Sequence, residues 1–152
     1  MQPVLVLAVI IMSGASGFPA LAEAKSCDAA RQDVAAVYRG FSTPDSDKFA
    51  VMLDSGTVVP DALMQSYANL VTTKVNALLY TAPDGYPDTI MADFDTLIGC
   101  YLTDPAATVT ISGTTYTFDR VFPAERRAEL QRAVLAGDKT SPAIACVTVG
   151  EC

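Results

Sequence analysis

The chain predicts an α+β fold: a mainly helical single domain of about five helices with a β-hairpin toward its C-terminal end, stabilised by disulfides. Three observations predict it. Apolar residues recur at the helical period through most of residues 26–102. The period then switches to strict alternation across TVTISGTTYTF, residues 108–118. Four cysteines follow what reads as an export signal, and an even number in an exported chain implies paired thiols.

Ser26 to Arg39 is the first predicted helix, with Ala30, Val34, Val37, Tyr38 and Phe41 on one face and Gly40 as a stop. In the second, Thr43 suits the N-cap and Pro44 the first helical position. Asp45 and Asp47 fall in the first turn, and Phe49, Met52 and Leu53 keep the period up to Gly56. Pro60 to Tyr80 is the longest periodic stretch, with Leu63, Tyr67, Leu70, Val71, Val75 and Leu78 as its stripe. PDGYP is a turn cluster. Asp88 to Leu102 is helical again through Ile90, Phe94, Leu97, Ile98 and Tyr101, and Asp104-Pro105 stops it. A two-residue loop at Ser112-Gly113 sets Val109 opposite Tyr116 and Ile111 opposite Thr114, giving one apolar face. That face needs a cover, and the helix expected at Pro123 to Ala136 can supply it. The tail, SPAIACVTVGEC, is read as a short strand pinned by its cysteines.

The ends and the charge bound location and partners. VLVLAVIIM is an uncharged apolar run, followed by small residues and an A-x-A site at Ala20-Leu21-Ala22. Residues 1–22 therefore read as a signal peptide and 23–152 as the mature domain, secreted or periplasmic. The run is shorter than the ~20 residues of a membrane span, so the mature chain is expected to carry none. A lysine two residues before Cys27 does not suit a lipidated cysteine. Cys27, Cys100, Cys146 and Cys152 allow three pairings, and pairing Cys27 closes a long loop. The net charge of -7 and the lack of a Lys/Arg cluster argue against nucleic acid and against an anionic membrane surface.

Residues 54–57, Asp-Ser-Gly-Thr after three apolar residues and before two valines, resemble the catalytic turn of aspartic proteases. With one such motif, the resemblance is to the retropepsin-like branch, in which two chains each donate an aspartate. Thr96-Leu97-Ile98-Gly99 resembles the apolar segment that supports the loop there. The resemblance implies Asp54 as the catalytic carboxylate of a homodimer in an all-β fold. The residues argue differently. Helix-start signals precede Asp54, residues 60–102 carry two helical periods where a flap hairpin is required, and Gly56 sits where a helix C-cap belongs. A helix end is the preferred reading of this stretch.

Other chemistry is sparse. The chain has no histidine, which removes Ser-His-Asp and Cys-His systems along with the commonest neutral-pH proton shuttle. Asp93 with Asp95, and Asp45 with Asp47, are two apart and so point to different helix faces. No EF-hand spacing or phosphate loop occurs, and no metal or cofactor is expected. Tyr38, Tyr67, Phe94 and Tyr101 fall at inward positions and could line an apolar pocket between helices. The expectation is a non-enzymatic exported recognition or accessory module, its partner an unknown protein. The alternatives are a carrier of a small apolar ligand and the retropepsin-like homodimer using Asp54.

Overall fold

A computed structural model describes residues 24–104 and 106–149. The expected signal peptide (residues 1–22), Glu23, Pro105 and Cys152 lie outside the described residues. Along the chain come α1 (Cys27–Gly40), α2 (Pro44–Ser55), α3 (Pro60–Tyr80), α4 (Ile90–Tyr101), β1 (Thr108–Ile111), β2 (Thr114–Thr117), α5 (Phe118–Val121), α6 (Ala124–Ala136) and α7 (Pro142–Val149).

The mainly helical reading holds, but the helix count is higher than the expected five, with seven among the described residues. The extra two are α5, a single turn straight after the hairpin, and α7, where a short strand was expected. Ser141 starts α7: its hydroxyl accepts from the Ala143 N–H and its carbonyl from Ile144, with Pro142 in the first turn. Starts shift slightly elsewhere. Ser26 caps α1 through the Ala29 N–H, α4 begins at Ile90 rather than Asp88, and Pro123 precedes α6 as its cap residue. Thr43 and Ser46 form a reciprocal capping box on α2.

Each helix buries the stripe its sequence carries, and the stripes meet in one core. Val34, Leu53, Leu63, Tyr67, Leu70, Ile90, Phe94, Leu97 and Leu130 are all fully buried there. Helix α1 packs on α2 and α4, while α3 packs on α4, α6, α7 and the hairpin. Cys27 and Cys100 are bonded and tie the start of α1 to the end of α4, with Cα atoms 6.2 Å apart. Cys146 is disulfide-bonded as well. Beside the first bridge, Lys25 donates to Asp33 at 2.5 Å and to Asp93 at 2.6 Å, giving the buried Asp93 carboxylate its counter-charge.

The hairpin has the register that the alternation predicts, Val109 opposite Tyr116 and Ile111 opposite Thr114. Its two-residue loop needs positive φ at both positions, and Ser112 (50°) and Gly113 (82°) supply it. The covering element is α3 rather than the expected α6. Gln65 explains the docking. Its side-chain amide donates to the Thr110 carbonyl at 3.1 Å and accepts from the Thr110 N–H at 3.4 Å, so it satisfies the outer edge of β1 as a neighbouring strand would. Helix α6 instead buries Leu130 and Ala133 beside α3, α4 and α7.

Candidate ligand groove

Residues 54–57 are a helix end. Gly56 takes the left-handed conformation (φ 71°, ψ 7°) and donates to the Leu53 carbonyl. Arg31 of α1 donates to the Leu53 and Asp54 carbonyls, which places a cation on the negative end of α2. Asp54 is half-exposed and its carboxylate pairs with Arg39. The strand-turn geometry that a protease aspartate needs is not what this segment adopts. Gly56→Ala is expected to cost about 1 kcal/mol from backbone strain alone, because the added Cβ meets only the Arg31 guanidinium at 3.6 Å. Asp54→Asn should stay within about 1 kcal/mol of wild type, as for other exposed ion pairs. Urea midpoints of the two variants check both, and a larger loss for Asp54→Asn would show that the carboxylate has a further partner.

The four aromatic residues singled out from sequence divide into three situations. Tyr67 and Phe94 are fully buried, with ring centroids 6.1 Å apart. Tyr67 also meets Phe122 edge-on at 5.2 Å, so both belong to the core. Tyr101 lies elsewhere, on the α1–α4 side against Arg31. Tyr38 packs on Phe49 at 4.6 Å and on Phe94 at 6.1 Å, and it borders an open cavity.

That cavity is a groove of about 500 Å³ between α2 and α3, closed at one end by the turn after α3. Consecutive helices leave a groove here because α2 packs on α1 and α3 packs on α4. Its aromatic lining is Phe41 and Tyr86, half-buried and edge-on to each other at 4.9 Å, together with the buried core rings Tyr38 and Phe49. Its polar lining includes Ser66, Asn69 and Thr73 of α3, spaced so that they share one helix face, with Ser66 in hydrogen-bond reach of the Tyr38 hydroxyl. A further depression of about 290 Å³ runs on toward Met52 and Gln65, with Asp45, Phe49 and Ser66 common to both.

The turn that carries Tyr86 is held from beneath. Lys74, only 4% exposed, donates to the Asp84 carboxylate at 3.0 Å and to the Tyr86 carbonyl at 3.2 Å. The other Asp84 oxygen accepts from the Tyr86 N–H at 2.7 Å. Both polar ends of the Tyr86 backbone are thus fixed by one buried ion pair. Sequence reasoning took PDGYP as a turn cluster and missed this role. The usable signal was Lys74 itself, a charge beside Val75 in the buried stripe of α3, which demands a nearby carboxylate.

Burial pushes the Tyr38 hydroxyl far above the ordinary tyrosine range; the Tyr86 phenol adds to the rise and Ser66 opposes it. Burial raises Tyr67 too, Arg127 opposing and Asp95 adding. Above about pH 10 the unfolded chain releases these protons and the folded chain keeps them. The folded state then binds more protons, so stability falls as pH rises from that point toward the folded values. In an alkaline titration followed by tyrosinate absorbance, Tyr38 and Tyr67 are expected to ionise only as helicity is lost. Reversible ionisation of every tyrosine with helicity intact would contradict their burial.

The paired carboxylates do not converge. Asp93 faces Lys25, while Asp95 accepts from Arg127 at 2.6 Å. Asp45 stands exposed at the groove mouth, 3.8 Å from Lys48. Among the described residues no group of three or more acidic or cysteine side chains could hold a metal ion. No helix among them is long and apolar enough to cross a membrane. The chain matches no protein-family model, no curated protein and no solved structure.

Proposed function

We propose that the protein is a non-enzymatic recognition module of an exported compartment and that the groove between α2 and α3 holds its ligand. One observation carries this reading: the groove is lined by aromatic rings and by hydrogen-bonding side chains together, with Tyr86 fixed in place by the Lys74–Asp84 pair. Pre-formed concave sites that combine apolar surface with a few placed polar groups are how proteins hold small ligands. Export is supported by the apolar N-terminal run and the A-x-A site in the sequence, and by the Cys27–Cys100 bridge. The absence of histidine and the engagement of Asp54, Asp93 and Asp95 with basic partners support a binding role over a catalytic one.

Native mass spectrometry of the protein exported by a host with an oxidising compartment tests this. The expected species begins at Glu23, lacks the four hydrogens that two disulfides would remove from its four cysteines, and carries a bound molecule that Tyr86→Ala loses. A chain that keeps its first 22 residues, or an adduct that Tyr86→Ala retains, would contradict the reading. An acyl-chain adduct would favour the apolar carrier, for which Phe41, Phe49 and Met52 supply the surface.

A further inference from the structure

We infer that the groove takes a neutral saccharide, bound with the apolar face of a sugar ring on the aromatic lining and its hydroxyls on α3. This rests on the groove being the ligand site and adds the class of ligand.

Charge narrows the class first. Asp84 is neutralised by Lys74, and Asp45 lies at the mouth beside Lys48. The interior therefore offers no uncompensated charge to a charged ligand. An anion would also meet a protein of net charge -7.

Hydrogen-bonding capacity narrows it further. The Asn69 carboxamide oxygen accepts from Gln65 at 3.1 Å, which leaves its two N–H donors for a ligand. The Thr73 hydroxyl donates to the Asn69 carbonyl at 2.8 Å, so its lone pairs remain to accept. Asn69 thus offers donors and Thr73 acceptors on one helix face, which suits hydroxyls, because each hydroxyl both donates and accepts. An acyl chain would bury these groups unpaired, a cost of roughly 1–3 kcal/mol per group.

The aromatic lining completes the match. A pyranose has a C–H face and a hydroxyl rim, and the groove is lined by the half-buried rings of Phe41 and Tyr86 and by the polar side chains of α3. Its continuation past Phe49 toward Met52 gives length for a short oligosaccharide.

The test is a two-dimensional amide NMR titration of the full mature chain with chitotriose, maltotriose and cellotriose, each to millimolar excess, with palmitate and tetramethylammonium alongside. At least one trisaccharide is expected to give saturable shifts confined to the Asn69 carboxamide and to the backbone of Ser66, Thr73 and Tyr86. Asn69→Leu and Tyr86→Ala should each weaken that binding about tenfold or more, while Thr115→Ala on the outer face of the hairpin leaves it unchanged. Each variant is first shown to keep wild-type helicity. Groove shifts with palmitate or tetramethylammonium and none with a saccharide would overturn the ligand class and leave the groove as the site. Saccharide shifts located away from these residues would overturn the groove reading itself. No response to any saccharide overturns the inference.

Discussion

Replacing Cys27 and Cys100 together with serine is expected to lower stability by about 4 kcal/mol, the chain-entropy value for a loop of this size. The bridge spans 73 residues, from the start of α1 to the end of α4, so reduction frees much of the unfolded chain. Little else changes on removal. Cys27 is exposed and Cys100 half-buried, so no large cavity opens, and Lys25 still holds the start of α1 to Asp93. Far-UV circular dichroism should therefore match wild type while the urea midpoint falls. The m-value should rise, because an unbridged denatured chain exposes more surface. Against a typical total of 5–15 kcal/mol, a loss of about 4 leaves a marginal protein. A change below about 1 kcal/mol would mean that the native bridge is strained or that the reduced chain stays compact.

Asp84→Ala should destabilise far more than Lys74→Met, although the two remove opposite ends of one ion pair. Without Asp84, a lysine that is 96% buried keeps only the Tyr86 carbonyl; stranding one partner of a buried pair costs about 3–5 kcal/mol. In Lys74→Met a flexible apolar chain of similar length fills the same space. The remaining carboxylate is 16% exposed and still accepts from the Tyr86 N–H, so the cost should be about 1 kcal/mol or less. The double variant should be more stable than Asp84→Ala alone, giving a coupling of at least about 1 kcal/mol in a double-mutant cycle. Equal losses from the two single changes would show that Asp84 acts mainly through the turn geometry and that Lys74 is not dependent on it.

The legible parts of the fold were those with length and a single dominant period. Helices α1 to α4 and α6 each carry an apolar stripe, and α2 adds a cap, a proline and a C-terminal glycine. These local signals agree with one another and with the packing. Helix α5 is one turn of four residues, too short for a period to register. Helix α7 reads PAIACVTV, apolar and β-branched with hardly a polar face, and such a run resembles a strand. Only the Ser141-Pro142 start distinguished it. The hairpin register followed from alternation, yet the choice of α3 over α6 as its cover depended on Gln65 reaching β1 across 45 residues. No local pattern encodes that.

The site was legible in fragments. Tyr38 was named, but as one of four ring positions, and two of the others are core. The groove is formed by a separation between α2 and α3 together with a turn held by a distant lysine. Both are long-range facts. Ser66, Asn69 and Thr73 carry no mark of their own, because in sequence a groove-lining strip and a solvent-facing strip are alike.

Site-specific photocrosslinking in the source cell tests most directly whether the proposed recognition occurs in the groove. A benzophenone amino acid replaces Asp45 at the groove mouth in one strain, its exposed neighbour Lys48 in a second and Thr115 in a third, and the products are read by mass. Recognition in the groove gives ultraviolet-dependent products from positions 45 and 48 and none from 115. Products from 115 alone, with both groove positions silent, would place recognition on the hairpin and contradict the groove.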